Sequence, residues 1–348
     1  MTLDHGVISR RTFLAASALA LGASRTGARA GEPDRPSAEG EIRASEYWAH
    51  RGDIRLYLYR KYLVSSVRAG SSRPILFLAH GSSVSSRPTF DLNVPGNSKY
   101  SLMDYFARRG FDVWTMDFEG YGRSSPSHGN SNVSDGVEDL KAASSVLLTE
   151  TGQASFNLYG ESGGALRAGA FAMVEPFKVH RLLVSGFTWT GKGSPTLSKR
   201  AQDDEYYRGH NTRPRDRNMI RSIFTRDKPG TSDPAVAEAM ADAELKFGDS
   251  VPTGTYLDMT TRLPLVDPQR LTMPVQIIRG QYDGIASEED VLEFFRRLGT
   301  QDRQLVILPG AAHALGLGRN REQFWHVMSA FLDMPARQDT LDSADRKD

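Results

Sequence analysis

The chain contains no cysteine. That absence excludes disulfides, thiolate metal sites, a lipid-bearing cysteine at a cleavage site and a cysteine nucleophile together. Charge of one sign is missing as well: 43 lysines and arginines face 42 aspartates and glutamates, and nothing marks a nucleic-acid partner. There is also no long apolar run. The strongest candidate, residues 13–23, is about half of the roughly 20 residues that a bilayer-spanning helix needs. No later segment is apolar enough to span a membrane, so no stable anchor is expected.

That short apolar stretch has informative flanks. It is preceded by Ser9-Arg10-Arg11-Thr12 and followed by Ala28-Arg29-Ala30, the order of a twin-arginine export signal with a small-x-small cleavage site. Residues 1–30 are therefore expected to engage the twin-arginine export machinery and be removed, leaving a periplasmic or secreted protein. The cut takes away four arginines and one aspartate and turns a net charge of +1 into −2. What remains is long enough for one large core with an inserted subdomain, or for two domains.

Residues 31–46 are polar, with two prolines and little apolar periodicity, and are expected to be a disordered lead-in, as are residues 334–348 at the other end. Between them short apolar runs alternate with helical patterns. Ile75-Leu76-Phe77-Leu78-Ala79 is continuous and bounded by Pro74 and His80-Gly81, which suits a strand buried on both faces. Further strands are expected over 111–116, 156–159, 181–187, 275–279 and 304–308. Helical patterns fall between them, and residues 55–63, with imperfect alternation, read as an antiparallel edge strand. The expectation is an α/β fold: a mainly parallel central sheet with helices on both faces. Residues 47–187 and 271–333 supply this core. From 188 to 270 the chain is polar, basic and without a convincing strand, and reads as an inserted helical lid.

Gly160-Glu161-Ser162-Gly163-Gly164 matches G-x-S-x-G, in which the serine sits on a sharp strand-to-helix turn. Composition alone would produce such a match in roughly one chain in four, so its position decides. A strand candidate ends immediately before it and a helix candidate begins immediately after, which aims free helix N–H groups at a reacting carbonyl. An ordinary turn serine is the alternative.

A serine hydroxyl needs a base and a group that orients the base. Of the eight histidines, His5 leaves with the signal, His180 opens a strand, His210 lies in the insertion and His326 sits in a helix at core-like spacing. His313 follows the last strand by the small loop Pro309-Gly310-Ala311-Ala312, and it comes after both serine and acid in chain order. Asp283, just past the strand 275–279, is the candidate acid. Its alternative role is a turn aspartate capping the next helix. For the oxyanion, the backbone N–H groups of Gly163 and Ser82 are the expected donors, with Ser83 in reserve. This chemistry calls for no cofactor and no metal.

His80-Gly81, the run Asp117-Phe118-Glu119-Gly120-Tyr121-Gly122-Arg123-Ser124, then Gly160 to Gly164, Asp283 and His313 together resemble the α/β-hydrolase superfamily. The likeness covers roughly residues 50–333, and the branch is similar to monoacylglycerol-lipase and lysophospholipase-like esterases. The resemblance implies that Asp117 to Ser124 orders a loop beside the active site. It also implies hydrolysis of a small or medium-sized carboxylic ester through an acyl-enzyme intermediate. The same triad would serve an amidase, a lactonase or a C–C bond hydrolase, and a binding protein could retain the fold without the chemistry. Haloalkane dehalogenases and epoxide hydrolases resemble the chain too, but carry aspartate where Ser162 stands.

Lid aromatics Trp189, Tyr206, Tyr207, Phe224, Phe247 and Tyr256, with Met219 and Met259, are expected either to line a pocket or to form the lid's own core. The arginines between 200 and 226 read mainly as a solvated helix face; attraction of an anionic substrate such as a carboxylated monoester is the alternative. Acyl group, leaving group and oligomeric state are not encoded legibly.

Overall fold

The computed structural model describes residues 39–66, 72–126 and 128–335. The expected export signal of residues 1–30, residues 31–38 of the expected lead-in and the tail beyond residue 335 lie outside them. The elements run β1 (Ile42–Arg51), β2 (Ile54–Leu63), β3 (Ile75–Ala79), α1 (Ser86–Phe90), α2 (Leu102–Arg108), β4 (Asp112–Met116), α3 (Val133–Thr151), β5 (Phe156–Glu161), α4 (Gly163–Val174) and β6 (Val179–Ser185). Then come α5 (Pro195–Arg200), α6 (Asp204–Gly209), β7 (Thr212–Pro214), α7 (Arg217–Thr225), α8 (Pro234–Glu244), β8 (Ser250–Pro252) and α9 (Gly254–Thr261). The chain finishes with β9 (Val275–Gly280), α10 (Glu288–Arg297), β10 (Arg303–Leu308) and α11 (Arg321–Leu332).

Eight strands form one sheet in the order β1-β2-β4-β3-β5-β6-β9-β10. The six from β4 to β10 run parallel, and β1 and β2 are antiparallel additions at one side. Apolar residues on successive positions of one strand serve opposite faces: Phe77 joins α3, α4 and α10, while Leu76 and Leu78 join α2 and α11. That division is why β3 reads as an unbroken apolar run rather than an alternating one.

Local signals agree with the helices. Asn132 and Asp135 form a reciprocal capping box at the start of α3, a contribution of about 1 kcal/mol. Helix α10 is capped by Ser287, opens on Glu288, Glu289 and Asp290 and closes on Arg296 and Arg297, charges that oppose the helix dipole at both ends.

Three expectations need correction. Residues 42–46 belong to β1, hydrogen-bonded to β2 from Ile42↔Leu63 to Arg51↔Ile54; its polar outer face concealed a strand whose stability comes from pairing. Residues 55–63 consequently lie inside the sheet, between β1 and β4, and the pattern alternates poorly because β2 buries Leu56, Tyr57, Leu58 and Tyr59 in succession. The stretch between β6 and β9 does contain strand: β7 and β8 pair as a two-stranded ribbon, three residues each and too short to show a period. Otherwise that stretch is helical, and it is called the insert below.

Candidate active site

Strand β5 ends at Glu161, and helix α4 starts at Gly163, so Ser162 occupies the turn itself with φ 53° and ψ −123°. A non-glycine residue there is strained by about 1–3 kcal/mol, and Ser162 is held by its N–H donating to the Ser185 carbonyl at 2.8 Å. The flanking glycines are steric necessities. A methyl group on Gly164 would collide with the Ala79 and His80 carbonyl oxygens, and one on Gly160 would come within 2.5 Å of the Gly164 carbonyl.

His313 and Asp283 stand at the ends of the next strands in the sheet. The imidazole Nδ1 lies 3.0 Å from both Asp283 carboxylate oxygens. Asp283 also accepts N–H bonds from Ile285 at 2.8 Å and Ala286 at 3.1 Å. Burial alone would raise the Asp283 carboxyl, but the nearby His313 and these hydrogen bonds outweigh it and hold the group below the ordinary carboxylate range. An ionised Asp283 fixes the Nδ1–H tautomer of His313 and leaves Nε2 as a basic lone pair. The same Oδ1 serves the turn N–H groups of Ile285 and Ala286 and the imidazole, while the cap of α10 is Ser287 rather than Asp283.

Ser162 and His313 meet in one cleft of about 40 Å³, together with Gly81, Ser82, Ser83 and Glu161. Its roof comes from the insert through Arg200, Ile223 and Arg226. Larger clefts of about 370 and 600 Å³ lie at α1–α8 and at α2–α11, and neither touches Ser162 or His313.

The loop 81–85, which bears the expected oxyanion donor Ser82, is assembled from three directions. Ser82 and Gly163 are neighbours: a Cβ on Gly163 would lie 3.4 Å from the Ser82 nitrogen. His80 is wholly buried, its Nδ1–H donating to the Gly81 carbonyl at 2.8 Å and its Nε2 accepting from Phe118 N–H at 3.1 Å. Since the Gly81–Ser82 peptide is planar and trans, anchoring the Gly81 carbonyl directs the Ser82 N–H the opposite way. Burial, then the Arg167 charge, push the His80 pKa down to about 3, so the ring stays neutral. The Ser82 carbonyl accepts from Tyr121 hydroxyl at 2.9 Å and Tyr256 hydroxyl at 3.3 Å. From the insert, Glu244 accepts from Ser85 N–H at 2.6 Å and from Arg215 at 2.5 Å.

Asp117 does order the adjoining loop, as the resemblance implied. It accepts from Ser86 N–H at 2.8 Å and Arg123 N–H at 2.9 Å. Four features escaped the sequence reading: the tautomer-locked His80, the Arg215–Glu244 strut, the close approach of Gly186 to His313, and Glu161. Burial pushes Glu161 up to about 7 against the lowering effect of His313. Only Glu161 carried a visible signal, as an acidic residue inside the motif. His326 is exposed rather than part of the core, because α11 turns Phe324, Trp325 and Met328 inward instead. The insert's aromatics divide: Phe224 packs in a cluster that the insert shares with Val84, Leu92, Val94, Tyr100 and Leu317, Tyr207, Tyr256 and Met259 join the main core, and Tyr206 and Phe247 are partly exposed.

A mainly parallel sheet, a serine on a strained strand-to-helix turn and a carboxylate-bound histidine beyond later strands define an α/β-hydrolase. The chain belongs to the α/β-hydrolase family described as serine aminopeptidase, S33, whose model matches residues 96–318. Among solved structures it is similar to 2-hydroxy-6-oxo-6-phenylhexa-2,4-dienoate hydrolase from Rhodococcus, at 16% identity and TM-score 0.60 over 84% of this chain and 100% of that one. An enol-lactonase from Burkholderia xenovorans gives 15% identity and TM-score 0.58 over 83% and 100%. An esterase from Thermogutta terrifontis gives 19% and 0.57 over 83% and 98%. At these identities the likeness is one of fold. No curated protein sequence matches the chain. Among the described residues no helix is long and apolar enough to cross a membrane, and no cluster of side chains could hold a metal ion.

Proposed function

We propose that the chain is a serine hydrolase that cleaves a carboxylic ester through an acyl-enzyme. The observation that carries this reading is the pairing of His313 Nδ1 with Asp283 at 3.0 Å in the cleft wall that also bears Ser162. Ser162 Oγ attacks the ester carbonyl while His313 Nε2 takes its proton. The tetrahedral oxyanion is met by the Ser82 and Gly163 N–H groups, each such donor being worth about 3 kcal/mol. His313 then gives the proton to the departing alkoxide, and water repeats the sequence on the acyl-enzyme. An ester asks least of this site, since one imidazole supplies every proton transfer. Neighbours named as a lactonase and a dienoate hydrolase keep lactone and C–C cleavage as the second reading.

The test is labelling with a fluorophosphonate and turnover of p-nitrophenyl esters of graded chain length. Wild type should label and hydrolyse, and Ser162→Ala should do neither; labelling that survives the substitution refutes Ser162 as the nucleophile. Probe reactivity without turnover of any ester favours the second reading. We further propose that residues 1–30 direct export through the twin-arginine machinery, on the strength of Arg10-Arg11 and the flanking pattern. Replacing both arginines with lysine should retain the protein in the cytoplasm, and normal export of that variant refutes the assignment.

A further inference from the structure

The arginines of the insert fall into two groups. Arg217 pairs with Glu238 and Asp242, Arg221 with Glu238, Arg215 with Glu244 and Arg262 with Asp258. Arg200, the last residue of α5, has no carboxylate partner among the described residues, and its Nη1 is sealed from solvent without a hydrogen bond there. Arg226, just past α7, touches only Asp227 through a single 3.3 Å contact. Both line the roof over Ser162 and His313, and both also line an adjoining chamber of about 190 Å³. In that chamber Lys199, Arg200, Arg213 and Arg226 face the single carboxylate of Asp203.

The guanidinium of Arg200 lies 4.9 Å from the ring centre of Tyr256 and that of Arg213 at 4.8 Å. The hydroxyl of the same tyrosine contacts Ser82 and Ser83 of the oxyanion loop. Burial, then the like charge of Arg226, push the Arg200 pKa down to about 10. Cations are thus crowded together beside the reacting centre, whereas Arg217 and Arg221 on the outer face of α7 are matched by carboxylates of α8. Keeping an unpaired charge away from water is costly, and a ligand anion removes the cost.

We propose that Arg200 and Arg226 form the anion-binding end of the substrate site, so that the preferred ester carries a free carboxylate remote from its scissile bond. Planar guanidinium groups suit a carboxylate, which accepts two parallel N–H bonds. This proposal rests on the esterase reading above, and it reverses the expectation that the run of arginines is merely a solvated face.

Two matched ester pairs test it: p-nitrophenyl pentanoate against p-nitrophenyl hydrogen glutarate, and phenyl acetate against 4-carboxyphenyl acetate. They place the carboxylate on the acyl and on the alcohol side in turn. In the wild type, one anionic ester should exceed its neutral partner in kcat/KM by roughly 10–100-fold, the worth of one charged hydrogen bond. Arg200→Met and Arg226→Met should each reduce that ratio at least about tenfold, chiefly through KM. Arg200→Lys should recover part of it, and added salt should weaken it. If a methionine variant fails to fold, Arg226→Lys and protection of Ser162 from fluorophosphonate by glutarate give the same answer. Turnover of neutral esters at Ser162 with no anionic preference refutes the subsite alone, as does a preference that survives both methionine variants. A wild type that takes no probe and hydrolyses none of the four esters refutes the esterase reading with it.

Discussion

Gly186 follows the last residue of β6 at φ +55°, and a Cβ there would lie 2.6 Å from His313 Cε1 and 2.9 Å from Nδ1. Ordinary contact begins near 3.4 Å, so Gly186→Ala must displace the imidazole by about 0.8 Å. The ring has no free direction of retreat, because both Asp283 oxygens hold Nδ1 at 3.0 Å. Misplacing a catalytic group by about 1 Å costs on the order of 100-fold in rate, and alanine at positive φ costs roughly 1–2 kcal/mol of stability. The expected outcome is a fall of about 100-fold in kcat and in fluorophosphonate labelling rate, with a melting temperature lower by only a few degrees. Gly152→Ala is the control: its φ is +66° with nothing within 4 Å of the added methyl. It shares the backbone strain without the collision, so it should lower the melting temperature alone. Labelling of Gly186→Ala within a few-fold of wild type would show that His313 is not fixed by this approach, and the geometric reasoning would fail.

Asp283→Asn should leave the fold intact and lower kcat by roughly 10⁴-fold, read with a p-nitrophenyl ester; a loss under tenfold would remove Asp283 from the triad. Glu244→Gln breaks a buried ion pair, at a cost of about 3–5 kcal/mol, and frees Arg215 and the Ser85 end of the oxyanion loop. Urea unfolding should show the destabilisation, with kcat falling more than KM changes. His80 has a folded pKa near 3, below its ordinary value, so its contribution to stability is complete above about pH 6.5 and is lost as pH falls from there toward 3. His80→Gln should flatten the pH dependence of unfolding free energy across that window, and an unchanged slope counts against the locked neutral ring.

What was legible in the sequence is what leaves a local trace. The buried strand β3 is a continuous apolar run because helices cover both its faces, and β5 and β9 keep enough apolar residues around Asn157, Gln276 and Arg279 to read as strands. Ser162 was legible because its turn demands glycines at fixed offsets, and His313 because small residues precede it after a strand. By contrast β1 owes its existence to ten partners in β2, and no periodicity within residues 42–46 reports on them. His80 read only as part of a loop, since its two hydrogen bonds go to Gly81 and to Phe118, 38 positions away. The arginines of the insert were indistinguishable as letters. Only folding separates Arg217, facing Glu238 and Asp242, from Arg200, turned toward Ser162.

The insert therefore contributes to the site in two mechanically different ways. Tyr256, Arg215 and Glu244 grip the oxyanion loop through short, buried hydrogen bonds, and moving them would disturb the Ser82 donor. Arg200, Ile223 and Arg226 roof the cleft of about 40 Å³ and also line the adjoining chamber of about 190 Å³. The outer arginines are tied to α8 by exposed ion pairs such as Arg221 to Glu238, each worth less than about 1 kcal/mol. What holds α7 is apolar packing instead, with Ile220 and Phe224 buried against Val236, Ala237 and Met240 of α8, so both contributions rest on buried contacts. An anion held between Arg200 and Arg226 would lie under side chains that already reach over the cleft, linking recognition of the remote charge to exclusion of water at Ser162.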